Sequence, residues 1–230
     1  MEDFSNIINW DAVQTQSDSF KNQTPFHFAF IEEFFKREFY EKLFETYPKI
    51  DETWKISNHP TKTQLVKYWN GIGPNEVVGY ENDPQYSEEW NKFKRYTQSE
   101  EFIEKIREFS NIPVNKLKFF HFMGYTKGGF QEPHFHDVGP STLVFMIYLS
   151  KNWKKGDPGG TYMASDTDES SIIFEPYDLD NSIAIFQDSE FSAHGTRYIT
   201  SDVERRALQI TLEGYDETDG WSGGIPERKM

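Results

Sequence analysis

The spacing of apolar positions changes about halfway along the chain. Over residues 29–47, Ile31, Phe34, Phe35, Phe39, Leu43, Phe44 and Tyr47 recur at three- and four-residue steps, and Glu33, Lys36, Glu41 and Lys42 fall on the other side. That period predicts an amphipathic helix closed by Pro48. A second helix is predicted over residues 99–109, capped by Ser99 and striped by Phe102, Ile103, Ile106 and Phe109. Between them, residues 51–96 are rich in Trp, Asn, Pro and Gly without a clean period, and read as loops with short elements. From Leu117 onward the helical period is gone. LKFFHFMGY, TLVFMIYLS, GTYMAS, SIIFEP, SIAIFQ and ALQITLEGY are short β-branched and aromatic runs separated by Gly, Pro, Asp and Ser. Strands punctuated in this way predict a β-sandwich or barrel.

The expected organisation is therefore one domain over residues 1–230. Residues 1–115 supply mainly helical support and loops, residues 116–214 form the β core, and residues 215–230 form an acidic surface tail whose Trp221 is a candidate for docking back. The fold class is α+β and mainly β, with the N-terminal helices packed against the sheet. An aromatic content of 17% fits a chain with a packed core. The aromatic-rich stretch over residues 69–90 suits a lid over a substrate and ordinary packing equally.

Charge and composition narrow the chemistry. With 24 basic against 38 acidic residues, a net charge of −14 and no dense Lys/Arg run, nucleic-acid and anionic-membrane partners are disfavoured. No apolar run is long enough for a membrane span, and the N-terminal residues lack a basic stretch followed by an apolar one, so a cytoplasmic location is the default expectation. Cysteine is absent, so any metal has to be held by His and carboxylates. Ser141, Ser189 and Ser192 lie near His in sequence, but no Gly-x-Ser-x-Gly elbow accompanies them. Gly159-Gly160 reads as a turn rather than a phosphate cradle, since no Lys-Ser/Thr follows.

Two of the strand-flanking segments concentrate metal-ligating groups. GGFQEPHFHDVGP holds His134, His136 and Asp137, and QDSEFSAHGTRY holds His194. Two His and one carboxylate on one face of an iron(II) ion leave the opposite face open to ligands and oxygen. Arg205 and Arg206 begin ERRALQITL, and alternation lets only one of them point inward, where a guanidinium pairs bidentately with a carboxylate. Arg197 and Arg206 otherwise read as partners for the many acids, with Arg197 also a candidate substrate contact. His27, His59 and His121 read as structural.

In this order the segments resemble the 2-oxoglutarate/iron(II)-dependent oxygenase superfamily, in particular its prolyl 4-hydroxylase-like branch. GYTKGGFQEPH resembles the family's Tyr-x-x-Gly-Gly lead into the first iron His, here His134. MIYLSKNWKKGDPGG resembles its Tyr-Leu-Asn strand, Trp and Gly-Gly turn; AHGTRY resembles the second iron His, here His194. ERRALQITL resembles the strand whose basic residue binds the far carboxylate of 2-oxoglutarate. The likeness spans residues 120–212, and TPFHFAFIEEFF also resembles the family's opening segment.

The resemblance implies a double-stranded β-helix (a jelly roll, cupin-like) holding Fe(II), with 2-oxoglutarate and O2 as cosubstrates and ascorbate as an accessory reductant. It implies hydroxylation of a C–H bond in an amino acid, a prolyl residue of a peptide or another small substrate, with succinate and CO2 as coproducts. Arg205 fits the family's spacing for the far carboxylate better than Arg206, and Tyr148 resembles the tyrosine that shares it. By alternation, Phe145 and Ile147 then face away from Tyr148 into packing.

One departure stands out. The family pattern is His-x-Asp, whereas here His136 stands two residues after His134 and Asp137 comes one residue late. Three ligand sets compete. A turn at Val138-Gly139-Pro140 brings Asp137 to the metal, or His136 is the first ligand and partners an acid, or His134, His136 and His194 form a three-His face. Strand parity favours the last; charge balance with the dication favours Asp137. Two other functional classes fit the same segments: a 2-oxoglutarate-independent three-His dioxygenase, and a non-catalytic β-helix binding module.

Overall fold

The computed structural model describes residues 2–69, 79–136 and 138–215. Its helices are α1 (Trp10–Thr15), α2 (Ser17–Asn22), α3 (Arg37–Glu45), α4 (Glu88–Thr97) and α5 (Glu100–Ser110). Its strands are β1 (Phe28–Glu32), β2 (Lys55–His59), β3 (Lys62–Tyr68), β4 (Lys116–Tyr125), β5 (Phe130–His134), β6 (Thr142–Leu149), β7 (Thr161–Ala164), β8 (Ile172–Phe174), β9 (Asp180–Gln187), β10 (Ala193–Thr196) and β11 (Arg205–Glu213).

The strands hydrogen-bond in the order β1-β9-β6-β11-β4-β3-β5-β10-β7-β8, with β2 paired to β3 outside that path. Every pairing is antiparallel, and spatial neighbours are distant in sequence, as in β11 between β4 and β6. The sheet folds over at β3, so β5, β10, β7 and β8 face the longer arm. Val144, Met146, Ala184 and Phe186 of that arm share an inner cluster with Met163 and Phe174 of the other. This is a double-stranded β-helix.

Strand β6 explains the runs that lack polar alternation. Leu143, Phe145, Ile147 and Leu149 pack outward against the helices, while Val144, Met146 and Tyr148 turn inward. Both faces are covered, so both faces are apolar. The outer cluster takes Phe93, Phe102, Ile106 and Phe109 of α4 and α5 onto the same surface. Each such side chain contributes about 1.5–3 kcal/mol on burial, which fixes the helices to one side and leaves the barrel mouth to the loops. The Tyr47 hydroxyl lies 3.0 Å from the Met123 carbonyl and 2.9 Å from that of Ala207, tying the end of α3 to β4 and β11. Ser87 and Ser99 cap α4 and α5 by accepting from the Trp90 and Phe102 amides.

The helix expected over residues 29–47 is in fact a strand followed by a shorter helix. Ala29 and Ile31 face the helical core while Phe28 and Phe30 face Phe174, so β1 is apolar on both sides and imitates a helical stripe. Glu33, at φ 53°, breaks the chain before α3. Residues 51–96, expected as loops with short elements, hold β2, β3 and most of the ten-residue α4, so the first half supplies three strands as well as helices. Trp69, Tyr86 and Trp90 of the aromatic stretch pack against Phe122, with Trp69 and Tyr86 stacked at 4.3 Å. The remainder of a lid over residues 70–78, and Trp221, lie outside the described residues. Among the described residues no helix is long and apolar enough to cross a membrane.

Candidate metal centre

Two short strands that lack any apolar run carry the centre. His134 ends β5 and stands directly opposite His194 on β10. His136 follows two residues later, and its ring meets those of His134 and His194. The three rings meet with centroids 4.4, 4.6 and 4.9 Å apart. One nitrogen from each ring lies within 4.8 Å of the other two, and His134 Nε2 and His136 Nε2 are 3.2 Å apart. Metal–nitrogen bonds of about 2.1 Å at right angles place neighbouring donors about 3 Å apart, so the His134–His136 spacing suits cis ligands of one ion.

The outward nitrogens of two of these rings are fixed by backbone. His134 Nδ1 lies 3.1 Å from the Glu132 carbonyl, and His194 Nδ1 lies 2.8 Å from that of Ser192. A carbonyl only accepts, so each Nδ1 carries the proton and each Nε2 lone pair faces inward. Burial, above all, holds the His194 and His136 imidazoles below their ordinary range, His136 at about 3, and the neighbouring rings add to the effect. His134 shifts the same way for the same first reason. All three are neutral donors at neutral pH, the form a cation binds. Asp137 lies outside the described residues. Asp188, by contrast, spends one carboxylate oxygen on the Val138 and Gly139 amides.

Gly195 makes this convergence sterically feasible. A Cβ there would fall 2.4 Å from Tyr162 Oη and 2.5 Å from the Gln131 carbonyl, so β10 closes on β5 and β7 only because no side chain intervenes. Gln131 adds a polar neighbour, its Nε2 lying 3.2 Å from His134 Nε2.

Behind the imidazoles is a buried cation. Arg205 lies on the inner face of β11 with no exposed surface, its guanidinium 4.9 and 5.0 Å from the rings of Tyr125 and Tyr148. Its Nε donates to the Gly159 carbonyl at 2.9 Å and its Nη2 to Thr161 Oγ1 at 3.1 Å, while Nη1 is buried without a partner. Gly159 sits at φ +152°, and a Cβ there would meet Trp153 at 2.4 Å, so the Gly159-Gly160 turn delivers a backbone carbonyl onto Arg205. Tyr148 Oη accepts from the Thr161 amide at 2.8 Å and keeps its own proton to donate. Arg206 points the other way, pairing with Glu204 at 2.8 Å over Phe44 and Tyr47. Arg197 pairs with Glu175 at 2.5 Å.

A cavity of about 150 Å³ is lined by the three His together with residues of β3, β4, β6, β7, β9 and β11, among them Tyr125 and Thr161, which touch Arg205. Val144, Met146 and Phe186 form its apolar wall; Lys62 and Gln64, which the sequence did not single out, and His121, which it read as structural, are polar lining residues. His121 had a weak signal, since it alternates with Met123 and Tyr125 on β4. Lys62 and Gln64 had none, because β3 itself was not anticipated.

The donor set suits a divalent ion, and the unpartnered Arg205 Nη1 suits a buried carboxylate. No family model matches the sequence, and no curated protein matches it. Solved structures share the fold. A prolyl 4-hydroxylase from Pseudomonas putida superposes with a TM-score of 0.57 at 15% identity, covering 90% of this chain and 99% of its own. An oxidoreductase of the 2OG-Fe(II) oxygenase family from Burkholderia pseudomallei gives 0.60 at 9% identity, over 92% of each chain. HygX from Streptomyces hygroscopicus, solved with nickel, 2-oxoglutarate and hygromycin B, gives 0.52 at 13% identity over 87% of this chain and 86% of that one.

Proposed function

We propose that this chain is an iron(II)- and 2-oxoglutarate-dependent oxygenase that hydroxylates a C–H bond of a small molecule or peptide. The reading assigns His134, His136 and His194 as the metal ligands, with Arg205 and Tyr148 binding the far carboxylate of 2-oxoglutarate. The observation that carries it is the convergence of three neutral ring nitrogens within 4.8 Å, at one end of a barrel that shares its fold with enzymes of this class.

Iron bound at this centre supplies the oxygen chemistry, coupling oxidation of 2-oxoglutarate to succinate and CO2 with insertion of one oxygen atom into the substrate. The chain's own residues do the positioning. The Glu132 and Ser192 carbonyls hold the His134 and His194 protons on Nδ1 and so aim Nε2 inward. The Gly159 carbonyl and Thr161 Oγ1 fix the guanidinium plane of Arg205, leaving Nη1 for a carboxylate oxygen that Tyr148 O–H can share. Val144, Met146 and Phe186 keep water from the reacting region, which strengthens every charge interaction there.

A second reading has one observation in its favour: the ligand set that converges among the described residues contains no carboxylate, as suits a three-His dioxygenase that needs no 2-oxoglutarate. Succinate formation separates the two. Iron-loaded protein supplied with 2-oxoglutarate and O2 is expected to release succinate, and His194→Ala is expected to lose both iron and succinate release while keeping its circular dichroism spectrum. Oxygen consumption that is independent of 2-oxoglutarate would favour the second reading. Retained iron in His194→Ala would refute the ligand assignment.

A further inference from the structure

Strand β3 lays alternate residues, Lys62, Gln64, Val66 and Tyr68, along one wall of the cavity. Lys62 stands opposite Gln131 on β5, the residue whose side chain reaches His134. The other lysines of the β2–β3 hairpin are occupied elsewhere: Lys55 lies over the Tyr68 ring at 4.8 Å and Lys67 bonds Thr53. Lys62 is half-buried, and no carboxylate among the described residues pairs with it. In a chain of net charge −14, the described residues lining this cavity include no Asp or Glu.

The charge count then fails to close. Three neutral imidazoles leave a divalent ion its full charge, which the two carboxylates of 2-oxoglutarate cancel. With the far carboxylate given to Arg205, the described residues leave the site net positive, and Lys62 on β3 lines a small, partly apolar cavity that no described acidic residue shares. A half-buried ammonium facing a partly apolar cavity attracts negative charge, so the site favours a further anion. We infer that Lys62 binds a carboxylate of the primary substrate, and that this substrate is a small free carboxylic or amino acid. The inference rests on the oxygenase reading above and extends it to substrate class. The cavity's small volume, part of it taken by the cosubstrate, favours a free acid over a peptide side chain.

Calorimetric titration of the nickel(II)-loaded protein tests this without turnover. 2-Oxoglutarate is titrated first. The saturated complex then receives free L-amino acids and three- to six-carbon aliphatic acids, each beside its primary amide, and acidic peptides blocked at both ends. Acids of the panel are expected to bind at least tenfold more tightly than their amides. Lys62→Ala is expected to remove that preference, Lys62→Arg to keep most of it, and both to leave 2-oxoglutarate affinity unchanged. The inference is overturned if amides bind as well as acids, if only the blocked peptides bind, if no acid binds, or if Lys62→Ala weakens 2-oxoglutarate instead. If 2-oxoglutarate itself does not bind the parent protein, the oxygenase reading fails and the inference falls with it.

Discussion

Replacing Arg205 by Met keeps most of the side-chain volume and removes every donor. In the parent, Nε and Nη2 are committed to the Gly159 carbonyl and Thr161 Oγ1, so the guanidinium is already oriented and Nη1 is the group left for a ligand. A carboxylate bound there would lose its charge-assisted partner at a position with no exposed surface. Truncating one side of a buried charge pair costs about 2–5 kcal/mol. At about 1.4 kcal/mol per decade, the dissociation constant of 2-oxoglutarate should rise about 30- to 3,000-fold. The assay is calorimetric titration of 2-oxoglutarate into nickel-loaded protein, with metal content measured on the same samples. Arg206→Met is the control, since Arg206 lies on the outer face against Glu204, and it should leave the constant unchanged. An Arg205→Met protein that retains its metal and binds 2-oxoglutarate within about threefold of the parent would refute the assignment.

Three further outcomes follow from the same geometry. His136→Ala should weaken metal binding by more than the roughly 100-fold seen when only an outer-sphere partner is lost, while Asp137→Ala should leave it unchanged; the reverse order in equilibrium metal titrations would restore the His-x-Asp pattern. Gly195→Ala forces a Cβ against Tyr162 Oη and the Gln131 carbonyl and should cost about 1–3 kcal/mol, read as a drop of about 3–10 °C in the unfolding midpoint with weaker metal retention; an unchanged midpoint would show that β10 has room to move. Burial holds buried His121 at about 4, below its ordinary 6.5. The unfolded chain therefore takes up this proton from about pH 6.5 downward and the folded one does not until about pH 4, so stability is constant above the window and falls on acidification through it. In urea titrations of metal-free protein, the loss between pH 7.5 and pH 5 should be about 2 kcal/mol smaller for His121→Gln than for the parent, and equal losses would contradict the linkage.

What could be read from the sequence follows from how each segment is stabilised. Strands β4, β6, β9 and β11 are long apolar runs whose character is local, and their neighbours only confirm it. Strands β5 and β10 read FQEPH and AHGT, with Pro, Gly and His in place of a strand signal. They are strands because β10 is clamped between β5 and β7, which is tertiary information. β1 was misread because covering both of its faces erased the period-two pattern. The inward direction of Arg205 was foreseeable from alternation only as a choice between two neighbours; the structure shows which one by placing Ala207 opposite Tyr148 and Arg206 beside Glu204. Parity likewise put His134 and His136 on one side, but it carried no information about whether a turn would override it. Lys62 was out of reach, since β3 alternates polar and apolar residues on both faces and nothing local says which face meets the cavity.

The most direct test is a crystal structure of the protein grown without oxygen and soaked with manganese(II) and an inert 2-oxoglutarate analogue. The anomalous signal of the metal should fall between the Nε2 atoms of His134, His136 and His194, about 2.1–2.3 Å from each, with the analogue's far carboxylate on Arg205. A metal held by Asp137 in place of His136, or bound away from the His134–His194 pair, would contradict the account.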